Sequence, residues 1–420
     1  MAVAQVLARV ARDPFANLPM KGAVDQLCEQ AGHRWRERML TPLATIRLFV
    51  LQVLHANTSI THLRHLAKMN FSPASYCEAR ERLPLIILQG LLHRMKDWSA
   101  RAAAGAAPML GNRLLVVDGS TASMPDTPGL LERFGLPRGQ KPGIGYPMAR
   151  IMGLLDAATG LFVELLALPL FTHDMRGAIG LHRSLLAGDI LLGDRAFCSF
   201  AHFCLLDVRG VFGCFRLHQR RKNLTPGLQQ WKKPSNIPAW MTAAQFAALP
   251  ASITVRIVRY AIEQKGYRTR HVIIATTLLD ERRWPDERIA EFYGHRWPIE
   301  TCFDHIKTTL KMDQLKCQTI DGVLKELAVY LIVYNLVRLV MLKAAVLQGV
   351  CAPRISFIDA ARALAAWMTG SDFVAPLVVN PRRPGRQNPR VIRRRKKEYD
   401  LMTKPRSAYH QDSEDSSVTA

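Results

Sequence analysis

The stretch RLLVVDGS, from Arg113 to Ser120, decides the fold class of this chain. Its apolar part is short and β-branched, and it ends in an aspartate followed by turn-forming residues. We therefore predict a buried strand that ends at Asp118. Residues 20 to 105, upstream of it, carry apolar residues at helical spacing. A helical region thus gives way to a strand-rich region near Asn112.

Strands and helices follow each other downstream of this stretch. ARIMGLLDAATGLFVELLALPL predicts two strands joined by a turn, and DILLGDRAF predicts a strand that ends at Asp194. THDMRGAIGLHRSLLA and SFAHFCLLDVRG predict helices, and VFGCFRLH predicts a fifth strand. Three strands, a helix, a strand, a helix and a strand imply an α/β fold with a mixed sheet. This is the order of the ribonuclease H-like fold.

The charge balance points to a polyanionic partner. The chain has 420 residues, 49% of them hydrophobic, so it can bury a sizeable core. Lys and Arg number 57 against 34 Asp and Glu, which gives a net charge of +23. Nucleic acid is the first candidate partner for such a chain, and an anionic membrane surface is the second.

Several features predict a cytoplasmic protein without a membrane span. The most apolar stretch, from Leu327, is interrupted by Asn335, Arg338 and Lys343, which predicts a buried core helix. The N-terminus lacks a secretory signal pattern, and the eight cysteines form no CxxC pair. We therefore expect reduced thiols in a cytoplasmic protein that reaches the nucleoid through DNA.

Composition shifts divide the chain into six segments. The region between Ser59 and Leu83 is basic. This charge is equally compatible with a DNA-binding surface and with an ordinary solvated face. The cations of the region are Arg64, His65, Lys68, Arg80 and Arg82. The predicted segments are a helical N-terminal DNA-binding domain (1–111), the first part of a ribonuclease H-like core (112–218), a β-rich insertion (219–282), the final core helices (283–325), a C-terminal helical region (326–379) and a basic tail, disordered unless bound (380–420).

Two carboxylates at predicted strand ends are candidates for chemistry. Asp118 and Asp194 each follow an apolar run, and ligand sites of open α/β sheets lie at strand ends. With a glutamate from a helix, they would form an oxygen-only site suited to Mg²⁺ or Mn²⁺. Two such ions can activate an attacking hydroxyl and stabilise the leaving oxygen of a phosphodiester. Each aspartate alone could equally cap a turn.

The stretch YGHRWPIETCFDHIK supplies the glutamate. It places Tyr293, Arg296, Glu300 and Lys307 at helical spacings, with Glu300 and Lys307 on one face of a helix that starts near Pro298. On spacing alone, an exposed ion pair between Arg296 and Glu300 is the simpler interpretation.

Four ordered segments resemble the DDE transposases of bacterial insertion sequences. Tyr293, Arg296, Glu300 and Lys307 match the Tyr-Arg-Glu-Lys pattern of one subgroup position for position. VVDGST and LLGDRAFCSF resemble the segments of its first and second aspartates, and RWRERMLTPLATIRLFVLQVL with SPASYCEARERLP resembles its leader domain. The resemblance covers roughly residues 15 to 320.

The resemblance implies a role for each matched residue. Asp118, Asp194 and Glu300 would be the catalytic and metal-binding triad, holding two Mg²⁺ or Mn²⁺ ions. Tyr293, Arg296 and Lys307 would hold DNA phosphates near the scissile bond. Water would cut the transposon end and free a 3′-OH, which would attack a second phosphodiester. An insertion-domain tryptophan could stack a flipped base, with three candidates: Trp231, Trp240 and Trp284.

The resemblance also implies partners, and it leaves alternatives. The partners would be transposon ends and target DNA, bound by a homodimer assembled on paired ends. A structure-specific nuclease on the same fold would cut DNA without strand transfer. A non-catalytic DNA-binding descendant of a transposase is a third possibility, although such a protein has no need of three carboxylates facing a polyanion.

Overall fold

The structure is a computed structural model that describes residues 20–102, 111–138, 145–217, 224–261, 271–296 and 298–370. The side chains of residues 96–102 are not among those described. The predicted basic tail and the first part of the predicted N-terminal domain lie outside these ranges.

A helical region precedes the sheet, as predicted. Two of its helices begin with a proline, Pro42 and Pro73, which removes a backbone donor that a first helical turn leaves unpaired in any case. Within the described residues its helices are α1 (Met20–Gln30), α2 (Pro42–Leu54), α3 (Ile60–Ala67), α4 (Pro73–Arg82) and α5 (Leu85–Ala102).

One mixed sheet of eight strands forms the centre of the described structure, in the order β3-β2-β1-β4-β5-β8-β7-β6. β1, β2 and β3 form an antiparallel meander, and β4 and β5 run parallel to β1. The first five strands thus have the ribonuclease H-like order. The strands are β1 (Leu114–Ser123), β2 (Met148–Asp156), β3 (Phe162–Pro169), β4 (Ile190–Gly193), β5 (Phe212–Arg216), β6 (Gly227–Lys232), β7 (Ser252–Ala261) and β8 (His271–Thr276).

The strands after β5 continue the same sheet. β8 pairs with β5 in antiparallel fashion, and β7 and β6 follow it outward. The sequence predicts strands in this stretch but does not reveal that they extend the main sheet. The chain just after β5 lies beside β8, and Leu217 N donates to Ile273 O at 2.8 Å. The stretch therefore begins and ends at neighbouring positions.

Helices cover both faces of the sheet, and the alternation of side chains along β1 separates two cores. Leu114 and Val116 face the larger core, and Leu115 and Val117 face the other. The helices after β1 are α6 (Pro128–Phe134), α7 (Asp174–Leu181), α8 (Phe200–Asp207), α9 (Ala243–Ala247), α10 (Asp286–Gly294), α11 (Pro298–Asp304), α12 (Ile320–Gln348) and α13 (Phe357–Met368). Shorter helical turns are His182–Ser184, Arg195–Phe197 and Ala352–Arg354, and a π-helical turn spans His305–Thr309.

The α12 helix is the one helix in the described ranges that is long and apolar enough to cross a membrane, and 78% of its most apolar window is buried inside the structure. Its polar residues explain the packing. The Asn335 side chain accepts from Phe162 N and donates to Phe162 O, both at 3.0 Å. Arg338 donates to Thr159 O at 2.8 Å. Two of the three residues that interrupt the apolar stretch, Asn335 and Arg338, therefore bind the backbone of β3 and the preceding turn.

A buried carboxylate joins the helical region to the core. Glu326, at the start of α12, accepts from the Asn57 side chain at 2.7 Å and from the backbone N–H of Lys316 and Cys317. Arg80, one of the cations between Ser59 and Leu83, is half-buried. Its guanidinium lies 3.8 Å from the ring centroid of Phe49 and bonds to the sulfur of Cys317. Arg80 therefore stabilises the contact between helices and core.

Replacing Asn335 by leucine tests this account of α12. The change leaves the buried N–H and C=O of Phe162 without a partner, which costs about 1–3 kcal/mol each. We expect the free energy of unfolding, measured by urea denaturation, to fall by about 2–4 kcal/mol. Lys343→Leu, on the exposed part of the same helix, is the control and should change it by less than about 0.5 kcal/mol. Equal effects of the two changes would contradict the assignment.

Candidate active site

Asp118 and Asp194 lie at equivalent positions of two neighbouring parallel strands. Val116 on β1 is paired with Leu192 on β4, and each aspartate stands two residues beyond its member of that pair. Because side chains alternate along a strand, both aspartates extend toward the face of the larger core. The prediction that β1 ends at Asp118 is wrong, since β1 continues to Ser123 while paired with β2. It is the pairing with β4 that ends before Asp118.

The turn after β4 holds Asp194. Asp194 caps the helical turn Arg195–Phe197, and its Oδ1 accepts from Ala196 N at 2.8 Å. Gly193 makes the turn possible, since a Cβ there would lie 2.8 Å from the ring of Phe197. The cap predicted as the simpler role of this aspartate is therefore present. The cap uses one carboxylate oxygen, Oδ1. The other oxygen makes no hydrogen bond to the described residues.

Glu300 reaches the same edge from α11, which lies against the sheet. Gly153 is paired with Asp118, and a Cβ there would lie 2.8 Å from the ring of Phe303. Glycine at this position lets Phe303, on α11, pack directly onto β2. Pro298 is the first residue of α11, as predicted, and α10 ends at Gly294. The stretch that carries Tyr293 and Glu300 is therefore two helices and not one.

Arg296 lies between the two helices and binds two of the carboxylates. Its Nη2 donates to Glu300 Oε1 at 3.0 Å, and its Nη1 lies 3.9 Å from Asp118 Oδ2. Only 12% of the Arg296 side chain is exposed, against 46% of Glu300. The predicted ion pair at spacing four exists, but Arg296 also joins it to the sheet. It is therefore more than an exposed surface pair.

The electrostatics indicate a cluster of negative charge that is only partly compensated. Burial, together with the charges of Asp194 and Glu300, raises the pKa of Asp118 to about 6 against the opposing effects of the Gly119 N–H and Arg296. A carboxylate surrounded by other carboxylates favours a bound cation over solvent. The chemistry of the three donors, oxygen only, suits a hard divalent ion.

The three carboxylates do not converge on a single metal position in this structure. Within the ranges that the structure describes, no group of three His, Cys, Asp or Glu side chains is close enough to hold one metal ion. Glu300 is turned to Arg296, which supplies the positive charge between it and Asp118. The residues fit a divalent ion in chemistry and in position on the fold. Glu300 would have to exchange its arginine partner for the ion.

The remaining predicted DNA contacts differ in accessibility. Tyr293 is 7% exposed, and its hydroxyl has no hydrogen-bond partner among the described residues. Burial raises the pKa of that hydroxyl well above its usual range, with Arg216 and Tyr260 nearby. Lys307 is partly exposed and lies in the π-helical turn that follows α11. Glu300 and Lys307 were predicted to lie on one face of a continuous α-helix. A π turn holds more residues than an α turn, so the two residues do not share such a face.

The tryptophans predicted as base-stacking candidates are packed. Trp240 and Trp284 are buried, and Trp231 on β6 makes an edge contact with Phe203, with ring centroids 5.8 Å apart. Trp284 also contacts Phe292. In this structure the three rings contribute to the cores, which is the simpler role that the sequence allows.

A basic groove lies on the helical region, away from the carboxylates. Its volume is about 830 Å³. The groove is not apparent from the sequence, because its cations come from the loop after α1 and from the end of α4, which are far apart in the chain. Lining residues include His33, Arg34, Trp35, Arg36, Arg38 and Arg82.

Comparison with known proteins shows the family of this chain. A family model described as a transposase DDE domain matches residues 110–336, more than half of the chain. The chain is 23% identical to the transposase InsG for insertion sequence element IS4 of Escherichia coli (strain K12), over 79% of each sequence. It is also similar to the solved piggyBac transposase synaptic complex with hairpin DNA, with a TM-score of 0.43 and 10% identity, over 82% of this chain and 75% of that one.

The family match defines an enzyme of the polynucleotidyl transferase and nuclease class, acting on DNA. The chain belongs to the family of transposases with a DDE domain. The matched residues 110–336 contain Asp118, Asp194 and Glu300. DDE transposases generally use divalent metal ions.

The raised pKa of Asp118 gives a pH dependence of stability in the metal-free protein. Its folded pKa of about 6 exceeds its ordinary value of 3.8, so the protonated form stabilises the fold at low pH. That contribution is complete below the unfolded pKa and is lost as the pH rises through the folded pKa. Between about pH 5 and about pH 7.5, the loss is about 1 kcal/mol.

The measurement compares wild type with Asp118→Asn, which cannot titrate. We expect the free energy of unfolding in EDTA to fall by about 1 kcal/mol more in wild type than in the variant over this pH range. Groups other than Asp118 titrate in both proteins and cancel in the difference. Identical pH profiles would show that the pKa of Asp118 is not raised in the folded protein.

Proposed function

We propose that this protein is a cut-and-paste transposase that cleaves the ends of its insertion sequence and joins the 3′-OH ends to target DNA. Asp118, Asp194 and Glu300 are the proposed catalytic ligands of two Mg²⁺ or Mn²⁺ ions. The observation that carries this proposal is the set of three carboxylates on one sheet edge, one of them with a raised pKa. When bound, such ions polarise the attacking and leaving oxygens of a phosphodiester.

The protein positions the three carboxylates through rigid elements. β1 and the turn after β4 fix the two aspartates in register, and α11 brings the glutamate over them. The Asp118 and Asp194 carboxylates each accept one backbone N–H, at 2.8 Å. These bonds orient each carboxylate and leave its second oxygen for an ion.

Arg296 has a different role in the free protein and in the DNA complex. In the free protein it neutralises part of the charge of Asp118 and Glu300. A guanidinium can bind phosphate with the same paired donors that it uses for a carboxylate. We expect Arg296 to pass from the carboxylates to a DNA phosphate when ions bind, so that ion binding and DNA binding support each other.

DNA contacts extend from the site to the helical region. Lys307 and the groove arginines Arg34, Arg36 and Arg38 are proposed phosphate contacts, because cations on an accessible surface are what a polyanion requires. Tyr293 would contact DNA only after its buried hydroxyl is exposed. The partners are transposon ends and target DNA, bound by a homodimer assembled on paired ends, and the protein is expected in the cytoplasm.

Glutamine in place of Glu300 tests the proposed function directly. The change removes a charged ligand and keeps the shape of the side chain. We expect Mg²⁺-dependent cleavage of a supercoiled donor plasmid to fall by at least about 100-fold, while end binding in EDTA changes by less than about threefold. Asp118→Asn and Asp194→Asn should behave in the same way.

Asp304→Asn is the matched control, because Asp304 lies one turn further along α11 and bonds only to Thr308 among the contacts described. It should retain cleavage within about twofold. Full activity of Glu300→Gln would remove Glu300 from the triad. Donor cleavage by wild type without any joined product would favour the alternative function, a structure-specific nuclease. Specific end binding without cleavage would favour a transposase-derived DNA-binding protein.

Lys307→Ala tests the proposed phosphate contact. Loss of one phosphate contact should weaken binding of end DNA and reduce the slope of log affinity against log salt by about one. The slope is measured by fluorescence anisotropy in EDTA, between about 50 and about 200 mM salt. Lys343→Ala, exposed on α12, is the control. An unchanged slope for Lys307→Ala would return this residue to an ordinary surface role.

A further inference from the structure

A pair of buried histidines lies behind the turn that carries Asp194, on the opposite face of the sheet. His182, at the end of α7, and His202, on α8, are 2% and 0% exposed. Their rings stack with centroids 5.2 Å apart, and His202 also stacks on Phe215 of β5 at 4.9 Å. Neither residue reaches the carboxylates, so the proposed chemistry does not use them.

Hydrogen bonds fix the proton positions in this pair. His202 Nδ1 lies 2.7 Å from Phe197 O, and a carbonyl oxygen can only accept, so Nδ1 carries the proton. In the neutral ring Nε2 is then an acceptor. His182 Nε2, 3.1 Å away, must donate to it. Burial lowers the pKa of His202 to about 4 and that of His182 to about 3, so both rings are neutral at physiological pH.

The carbonyl that His202 binds belongs to the last residue of the turn that Asp194 caps. The turn Arg195–Phe197 is held at its start by the bond from Ala196 N to Asp194 Oδ1 and at its end by the bond from His202 to Phe197 O. Phe197 also packs over Gly193, which prevents the chain from shifting toward the sheet. The turn is therefore fixed on both sides of the strand end.

We propose that His202 is a positioning residue for Asp194, with His182 donating a hydrogen bond to Nε2 of its ring. His202 keeps the turn after β4 in the conformation that directs the Asp194 carboxylate toward Asp118. This inference rests on the proposed role of Asp194 as a metal ligand. The pair differs from ordinary core histidines because its one backbone bond goes to the metal-ligand turn.

Two substitutions at position 202 separate this role from simple packing. Asparagine places an amide N–H where Nδ1 stands, so His202→Asn keeps the donor for Phe197 O and loses the contact with His182. Glutamine places its amide near Nε2, so His202→Gln keeps a partner for His182 and loses the donor. Phe203→Leu is the control for packing, because Phe203 is buried on the same helix and contacts Phe215 without touching the turn.

The first measurement is hydrogen exchange of the full chain without metal, followed by mass spectrometry of peptides that cover residues 190–200. We expect the exchange rate in this segment to rise at least about tenfold in His202→Gln and to stay within about threefold of wild type in His202→Asn and Phe203→Leu. Equal protection in both His202 variants would overturn the positioning role, whatever metal the protein binds.

The second measurement is Mn²⁺ binding to the protein alone, followed by the loss of the free-ion signal in electron paramagnetic resonance. We expect an increase of about tenfold in the dissociation constant for His202→Gln and less than about threefold for the other two variants. If wild type and Asp194→Asn bind Mn²⁺ equally, the proposed function fails at Asp194, and the exchange experiment still decides the role of His202. If Asp194→Asn binds Mn²⁺ more weakly than wild type but both His202 variants bind it as tightly as wild type, only the positioning inference fails.

Discussion

Burial of a carboxylate close to two others, at the ends of two parallel strands, is the constraint on which the rest of this structure depends. Asp118 is partly buried next to Asp194 and Glu300, and such a group resists ionisation unless positive charge is near. The chain supplies one guanidinium, from Arg296, between two of the three. A single arginine compensates part of the charge. The remaining negative charge is what the proposed divalent ions would compensate.

Small residues allow the large ones to meet at this edge. Gly153 admits Phe303 of α11 against β2, and Gly193 admits Phe197 beneath the turn after β4. Neither glycine needs an unusual backbone angle here, because each serves to let another element approach closely. Aromatic packing on opposite faces of the sheet therefore positions Glu300 and Asp194. Rigid placement of this kind is what a metal site requires.

The sequence predicted the parts that depend on local pattern. Apolar runs predicted the order of the strands, and Pro298 predicted the split between α10 and α11. The polar interruptions at Asn335 and Arg338 predicted that the long apolar helix is buried. Properties set by distant pairing were not accessible. That β1 continues past Asp118 follows from its pairing with β2, and Arg80 is half-buried because Phe49 and Cys317 lie beside it. The basic groove and the His182–His202 pair also join residues that have no common pattern in the chain.

The position of β8 beside β5 has a consequence for how such chains can vary. After Arg216 the chain continues to β6 and β7, at the outer end of the same sheet, and returns at β8 beside β5. The length of the segment between β5 and β8 is therefore independent of the distance between Asp194 and Glu300 in the folded protein. Residues can be added or removed between β5 and β8 at the entropic cost of loop closure, which grows slowly with length. The separation of the second aspartate from the glutamate along the chain is then a weak criterion for recognising related enzymes, and the residues around each carboxylate are a stronger one.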